Sequence, residues 1–279
     1  MHTPDQSKIE SSVRRALEED IGLGDITGEL IDPLLIQEAK LVCRDEAILC
    51  GSKWFESAFN LLDPDVKINW NQEEGSLIKE NTEVATIKGN SKCMVASERT
   101  GLNFLQMMSG IAYKTYSYKQ ELNGAQTTLL DTRKTLPGLR YEQKYSVLVG
   151  GGQNHRMGLY DAALVKENHI ASAGSIHSAV ARLRENNVKL IEVEVENLDE
   201  LNEAMESQAD IAMLDNFNTH DLLKASEMAQ GKIKIEVSGN IDKEQIAKLK
   251  NLNIDYISSG DLTKNIAAID YSLIFKSLD

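Results

Sequence analysis

From about Ala125 onward, short apolar runs alternate with stretches of helical periodicity. The apolar runs are TTLLD (127–131), AALVK (162–166), KLIEVEV (189–195), DIAML (210–214), KIKIEV (232–237) and DYIS (255–258). Between the later runs lie SAGSIHSAVARLREN (172–186), THDLLKASEMA (219–229) and DKEQIAKLKN (242–251), whose apolar residues recur three and four apart, as on one face of an amphipathic helix. Strands that recur regularly, each followed by a helix, predict βα units around a parallel sheet. Six units in series fit a closed or nearly closed α/β barrel better than a doubly wound sheet, although the pattern alone leaves both open.

The first hundred residues carry a different rhythm. Helical stretches over 8–20 and 52–61 flank segments of strand character, EAKLVCRDEAILCG (38–51), VKINW (66–70) and EVATIKG (83–89). The turn signals DPD (63–65) and EEG (73–75) punctuate them. This predicts a small α+β domain with an antiparallel sheet, joined to the barrel by a long helix from about Ala96 to Leu122. No internal repeat beyond the βα rhythm and no low-complexity segment is visible.

Composition narrows the class. With 279 residues, 42% hydrophobic and 26% charged, the chain can bury a sizeable core and is not disordered in type. No run approaches the roughly 18 apolar residues that span a bilayer, and the polar start MHTPDQSKIESSVRRALEED lacks a signal-peptide core, so the cytoplasm is expected. Cys43, Cys50 and Cys93 form no CxxC pair, which favours buried reduced thiols over disulfides or a zinc knuckle. A net charge of −13 disfavours nucleic acid and anionic membranes as partners. One region departs from that balance. Between Asp131 and His169 there are six Lys/Arg against four Asp/Glu, with two of the chain's five histidines. A cationic island in an acidic chain points to a small anionic ligand.

In a βα barrel the reactive groups gather where strands end and the following loops begin. Those positions here are Asp131-Thr132-Arg133-Lys134, Lys166, Glu194, Asp215-Asn216, Ser238-Gly239-Asn240 and Ser259-Gly260-Asp261. Cations end two early strands and carboxylates the next two. In IEVEVE, Ile191, Val193 and Val195 share one face and Glu192, Glu194 and Glu196 the other. If the apolar face packs on helices, the glutamates point into the barrel, where Lys166 or a divalent ion held with Asp215 would offset their burial. An edge strand with water-facing glutamates is the alternative. The densest segment is GGGQNHRMGLYDAALVKENH (150–169). Its three glycines allow close backbone approach to a ligand, and Arg156 offers a two-pronged clamp for a carboxylate where Lys166 offers a point charge. A flexible loop with solvated charges explains the same residues. No serine or cysteine nucleophile signature, zinc spacing, GxGxxG or Walker sequence is present.

The segments ALEEDIGLGDIT (16–27), ERTGLNFLQMMSGIA (98–112), DTRKTLPGLRYEQKYSVLVGGGQNHRMGLYDAALVKENH (131–169), IEVEVEN (191–197), AMLDNF (212–217) and EVSGN (236–240) closely resemble the quinolinate phosphoribosyltransferase family, in order from near residue 16 to near residue 265. The resemblance implies an N-terminal open α/β sandwich with an antiparallel sheet over 1–108 and an incomplete parallel α/β barrel over 109–265, with the tail 266–279 packing back on the first domain. It implies a pentosyltransferase that joins quinolinate to phosphoribosyl pyrophosphate (PRPP) with magnesium, in de novo NAD synthesis, as a homodimer with a shared active site. Arg133, His155 and Arg156 resemble the cradle for the two quinolinate carboxylates, with Lys134 and Lys166 as partners of that cradle and of the phosphates. Arg99, in ERTGLNF, resembles the arginine that reaches the neighbouring subunit's site. Glu194 and Asp215 match the acidic pair near the ribose and the magnesium-pyrophosphate. Ser238, Gly239, Asn240, Ser259 and Gly260 match the loops that hold the 5′-phosphate. The family commonly carries a valine-glycine-alanine-like sequence at the last of these loops, and ISSGDLT (257–263) departs from it: Asp261 would set a negative charge beside a phosphate unless its side chain turns away to cap a helix.

Three rivals remain at this stage. A related type II phosphoribosyltransferase acting on nicotinate would need fewer carboxylate clamps. A barrel lyase or aldolase using Lys166 as a Schiff-base nucleophile leaves the arginines unexplained. A noncatalytic ligand-binding relative is disfavoured because no charge is missing from the matched positions.

Overall fold

The computed structural model describes residues 3–277. In chain order, Asp5 caps α1 (Gln6–Ile21) by accepting from Ser7 N–H, and a short 3-10 turn (Thr27–Leu30) precedes β1 (Ile36–Cys43) and β2 (Ala47–Ile48). Then come α2 (Ser52–Asn60), β3 (Lys67–Trp70), β4 (Leu77–Ile78) and β5 (Thr82–Asn90). The long helix α3 (Ser91–Glu121) leads to β6 (Thr128–Leu130), α4 (Arg140–Val149) and β7 (Ala163–Val165). A regular series follows: α5 (Glu167–Ala173), α6 (Ile176–Glu185), β8 (Ile191–Val195), α7 (Leu198–Glu206), β9 (Ile211–Asp215), α8 (Thr219–Ala229), β10 (Lys234–Ser238), α9 (Lys243–Leu249), β11 (Tyr256–Ser258) and α10 (Asp261–Lys264). The last strand is β12 (Tyr271–Phe275). No helix among the described residues is long and apolar enough to cross a membrane.

The chain forms two compact units. The first takes residues up to Tyr116, Pro137–Gly151 and the stretch from Asn265. It holds an antiparallel four-stranded sheet in the order β12-β1-β5-β3 and the small pair β2-β4. Trp54, Phe55 and Phe59 of α2 are fully or almost fully buried with Leu41 of β1, Ile87 of β5, and Met94, Leu102 and Leu105 of α3. Trp54 needs a partner for its indole N–H when buried, and Ser12 and Glu142 accept it at 3.2 and 3.3 Å. Glu142 thereby ties α4 into this unit, so the two units interleave along the chain instead of meeting at one boundary.

The second unit takes Ser117–Leu136 and Gly152–Lys264. Its six strands are all parallel, in the order β6-β11-β10-β9-β8-β7. A parallel bridge from Leu130 to Gln153 extends the β6 edge. The sheet order leaves β6 and β7 unpaired with each other, so this is an incomplete parallel barrel, and the sequence-derived runs fall on its six strands. Side chains of Ser175, Asn197, Asn218 and Asp242 cap α6, α7, α8 and α9, each accepting from a backbone N–H three residues on. These caps fix where the loops leading into those four helices end. β8 lies inside the sheet, which removes the edge-strand alternative for IEVEV.

Candidate active site

A cavity of about 300 Å³ opens at the C-terminal ends of the parallel strands. It is lined by Thr132, Arg133 and Lys134 after β6, His155 and Arg156 before β7, Leu164 and Lys166 on and after β7, Glu194 of β8, Met213 and Asp215 of β9, Ser238 of β10 and Ser258 of β11. Seven of the charged residues predicted from sequence thus converge from different strands: Arg133, Lys134, His155, Arg156, Lys166, Glu194 and Asp215. Cations occupy the β6–β7 side and carboxylates the β8–β9 side. The strand period explains the grouping, since alternate residues of a barrel strand face inward and only the last of them reaches the rim.

Along β8, Ile191, Val193 and Val195 are fully buried, Glu192 is 4% exposed, Glu194 is partly exposed and Glu196 is exposed. The inward face therefore opens toward the strand's C-terminal end. Lys166 Nζ donates to Glu194 Oε2 in a short ion pair, the pairing that a carboxylate at this depth requires. Asp215 accepts from the Asn216 side chain at 2.8 Å through Oδ2. Burial, and then the neighbouring Arg133 guanidinium, pull the pKa of Arg156 down. A bound anion relieves both effects. Arg156 Nη1 donates to Ala162 O at 3.2 Å, and Arg133 Nε is buried without a hydrogen-bond partner.

The loops after β9, β10 and β11 carry Asn216, Gly239, Asn240 and Gly260, none of which lines the cavity. Asn216 (φ 55°) and Asn240 (φ 46°) are left-handed, as is Gly239 (φ 102°). A Cβ on Gly239 would stand 2.2 Å from Asn216 Oδ1, so this crossing of two loops requires glycine. A Cβ on Gly260 would stand 2.8 Å from Lys134 Cδ, so the absence of a side chain there makes room for the lysine stem. Lys134 O accepts from Thr263 Oγ1 at 2.8 Å, which fixes the lysine's backbone beside that loop.

Several expected residues sit elsewhere. Arg99 is exposed on α3 in the first unit and does not line the cavity. Ser259 is 1% exposed and its hydroxyl donates to Ile241 O at 2.5 Å, so its side chain serves the loop itself. Gly150 ends α4 and Gly151 follows it; neither these nor Gly152 lines the cavity. Asp261 is turned away: its Oδ2 accepts from Tyr118 OH at 2.6 Å, and burial together with that carboxylate raises the Tyr118 phenol far above its ordinary pKa. Sequence reading did not single out Ser258 of the lining, and it left Thr132 and the buried acids Asp131, Glu192 and Glu236 out of the site residues. The inward alternation of IEVEV and KIEVS was the available signal for the last two.

Cations facing carboxylates at the C-terminal mouth of an α/β barrel, with glycine- and asparagine-built loops beside them, define an enzyme site for a polyanionic substrate. Family profiles described as "Quinolinate phosphoribosyl transferase, N-terminal domain" and "Quinolinate phosphoribosyl transferase, C-terminal domain" match residues 25–109 and 111–274. A Bacillus subtilis protein named probable nicotinate-nucleotide pyrophosphorylase [carboxylating] is 37% identical over 257 residues, covering 91% of this chain and 89% of the relative. The nicotinate-nucleotide pyrophosphorylase structure from Francisella tularensis superposes with a TM-score of 0.95 at 44% identity over 98% of both chains. NadC from Streptococcus pyogenes gives 0.96 at 36% over the whole of both. The chain belongs to the quinolinate phosphoribosyltransferase family.

Proposed function

We propose that this protein transfers the phosphoribosyl group of PRPP to quinolinate with decarboxylation, giving nicotinate mononucleotide, pyrophosphate and carbon dioxide for de novo NAD synthesis. The observation that carries this reading is the convergence of Arg133, His155, Arg156, Lys134 and Lys166 on one small cavity opposite Glu194 and Asp215. A doubly negative pyridine ring suits paired arginines, because each guanidinium meets a carboxylate through two parallel hydrogen bonds.

In the reaction the ring nitrogen displaces pyrophosphate at the anomeric carbon, which develops positive charge. Catalysis of that kind rests on positioning and charge stabilisation and needs no protein nucleophile. Arg133 and Arg156 hold the ring with its nitrogen toward the ribose, and His155 lines the cavity beside them. Lys134 and Lys166 face the phosphates, and the loops at Ser238, Gly239, Asn240 and Gly260 receive the 5′-phosphate on backbone N–H groups. Glu194 and Asp215 face the ribose and offset its positive character. Loss of the 2-carboxylate follows because the quaternised nitrogen accepts the electron pair.

Magnesium belongs to the proposal as the ion carried by PRPP. Glu194 and Asp215 fit it in type, since a hard cation takes oxygen donors and is bound by one or two carboxylates plus substrate phosphates. When bound, it neutralises charge on the departing pyrophosphate. The proposal also includes a homodimer in which Arg99 serves the other subunit's site. Two features support it. Arg99 is exposed and is not among the residues that line its own chain's cavity, and Leu23, Ile26, Leu30 and Leu34 are at least 84% exposed in one segment, a strip that suits burial against a second copy.

The deciding assay follows pyrophosphate and nicotinate mononucleotide with quinolinate beside nicotinate. Quinolinate turnover should exceed nicotinate turnover by roughly 10²-fold or more, because nicotinate leaves a buried cationic clamp unpaired. Equal or faster turnover of nicotinate favours the rival type II phosphoribosyltransferase. Covalent capture at Lys166 by borohydride favours the lyase.

A further inference from the structure

Two carboxyls buried beneath the cavity have no role in the reaction as described. Glu192 is 4% and Glu236 1% exposed. Glu192 Oε2 lies 2.8 Å from His155 Nε2, and Glu236 Oε2 lies 3.6 Å from the same nitrogen. The other ring nitrogen, Nδ1, accepts from the backbone N–H of Arg156 at 2.8 Å. A nitrogen that accepts carries no proton, so in the neutral ring the proton sits on Nε2, the nitrogen in contact with Glu192. The backbone of His155 is held as well, its N–H donating to Asp131 Oδ1 at 2.9 Å.

We propose that Glu192 is a positioning residue for the quinolinate cradle: its carboxylate, in contact with His155 Nε2 at 2.8 Å, holds the imidazole in place, and the ring's Nδ1 in turn fixes the backbone that presents Arg156. This rests on the substrate assignment above. Burial, and then the charge of Glu192, push the Glu236 carboxyl far above its ordinary pKa, which favours its neutral form beside Glu192. The ligand atoms of His155, Glu192 and Glu236 also lie within 4.8 Å of one another, a spacing that a small metal ion can span. The hydrogen bond from Arg156 speaks against a metal, because metal on Nε2 places the proton on Nδ1, where the Arg156 N–H already points.

Two measurements test this. Nitrogen-15 histidine NMR of the ligand-free, full-length protein near neutral pH should find His155 as the Nε2–H tautomer, with the resonance identified by its loss in His155→Gln. A Nδ1–H tautomer, a cationic ring, or a tightly bound divalent metal that disappears in Glu192→Gln overturns the proposal. In kinetics, Glu192→Ala should raise KM for quinolinate about tenfold or more and leave KM for PRPP within about twofold. Glu192→Gln, which keeps the side chain's size and an oxygen against the imidazole, should stay within about threefold of wild type for both. Equal effects on the two substrates, or a Gln variant as impaired as the Ala variant, overturn it too. If Glu192→Ala does not fold, the wild-type tautomer and Glu192→Gln still decide. A wild-type protein that fails to use quinolinate defeats the functional reading instead and leaves the tautomer test standing.

Discussion

The parallel sheet has a cavity at each end, and the two are built from the same residue types. The one at the N-terminal ends of the strands is the larger, about 700 Å³, and its lining includes Asp210, Lys232, Lys234, Asp255 and Tyr256. Its carboxylates serve the fold. Asp210 Oδ2 accepts from Ile191 N–H at 2.6 Å and from Arg184 at 2.8 Å, and Asp255 Oδ2 accepts from Ile235 N–H at 3.0 Å. Each closes a backbone donor left open where a neighbouring strand begins. Lys234 reaches the Tyr256 hydroxyl at 3.1 Å. The C-terminal cavity has less than half the volume, and half-buried guanidinium groups and strand-end carboxylates line it together. Volume does not separate the two ends. What separates them is charge placed beyond what the backbone needs.

The comparison breaks if changes at the two ends have the same consequences. Arg133→Ala should have the largest effect, lowering kcat/KM for quinolinate by roughly 10²–10³-fold, since truncating one partner of a desolvated charge pair costs about 2–5 kcal/mol. Its circular dichroism and melting should stay native, and near-normal turnover would contradict the site. Next, Arg99→Ala and Lys166→Ala should each be inactive, yet mixed and re-equilibrated subunits should recover up to about a quarter of wild-type activity, because half of the dimers then carry one intact site. With subunit exchange confirmed, no recovery would remove Arg99 from a shared site. At the other end, Asp210→Ala should cost about 1–3 kcal/mol in denaturant unfolding by stranding the Ile191 N–H, with both KM values unchanged. Lys234→Ala should change stability by less than about 0.5 kcal/mol and leave the kinetics alone. A kinetic defect in either of these last two would show that the N-terminal cavity takes part in function.

How much could be read beforehand depended on the range of the interactions. The six barrel strands and the main helices were legible because their apolar period is local. So was the charge at the strand ends, and with it Arg133, Lys166, Glu194 and Asp215. The segment 131–169 was read as one functional block, whereas its middle, α4, belongs to the first unit through Trp54 and Glu142. Strand β12 was not identified as a strand, because it pairs only with β1, more than two hundred residues earlier. Asp261 looked like a hazard beside a phosphate until Tyr118 was seen to hold it.

By itself, then, the sequence determined the βα rhythm, the caps that start the return helices, and the supply of cations and acids at the strand ends. These follow from residue spacing and hydrogen-bonding chemistry within a few positions. Tertiary structure alone decided which of those charges meet, that Glu192 lies against His155, and that Ser259 and Asp261 turn away. Such outcomes depend on strand tilt and on which distant groups satisfy each buried donor, and local sequence does not encode either.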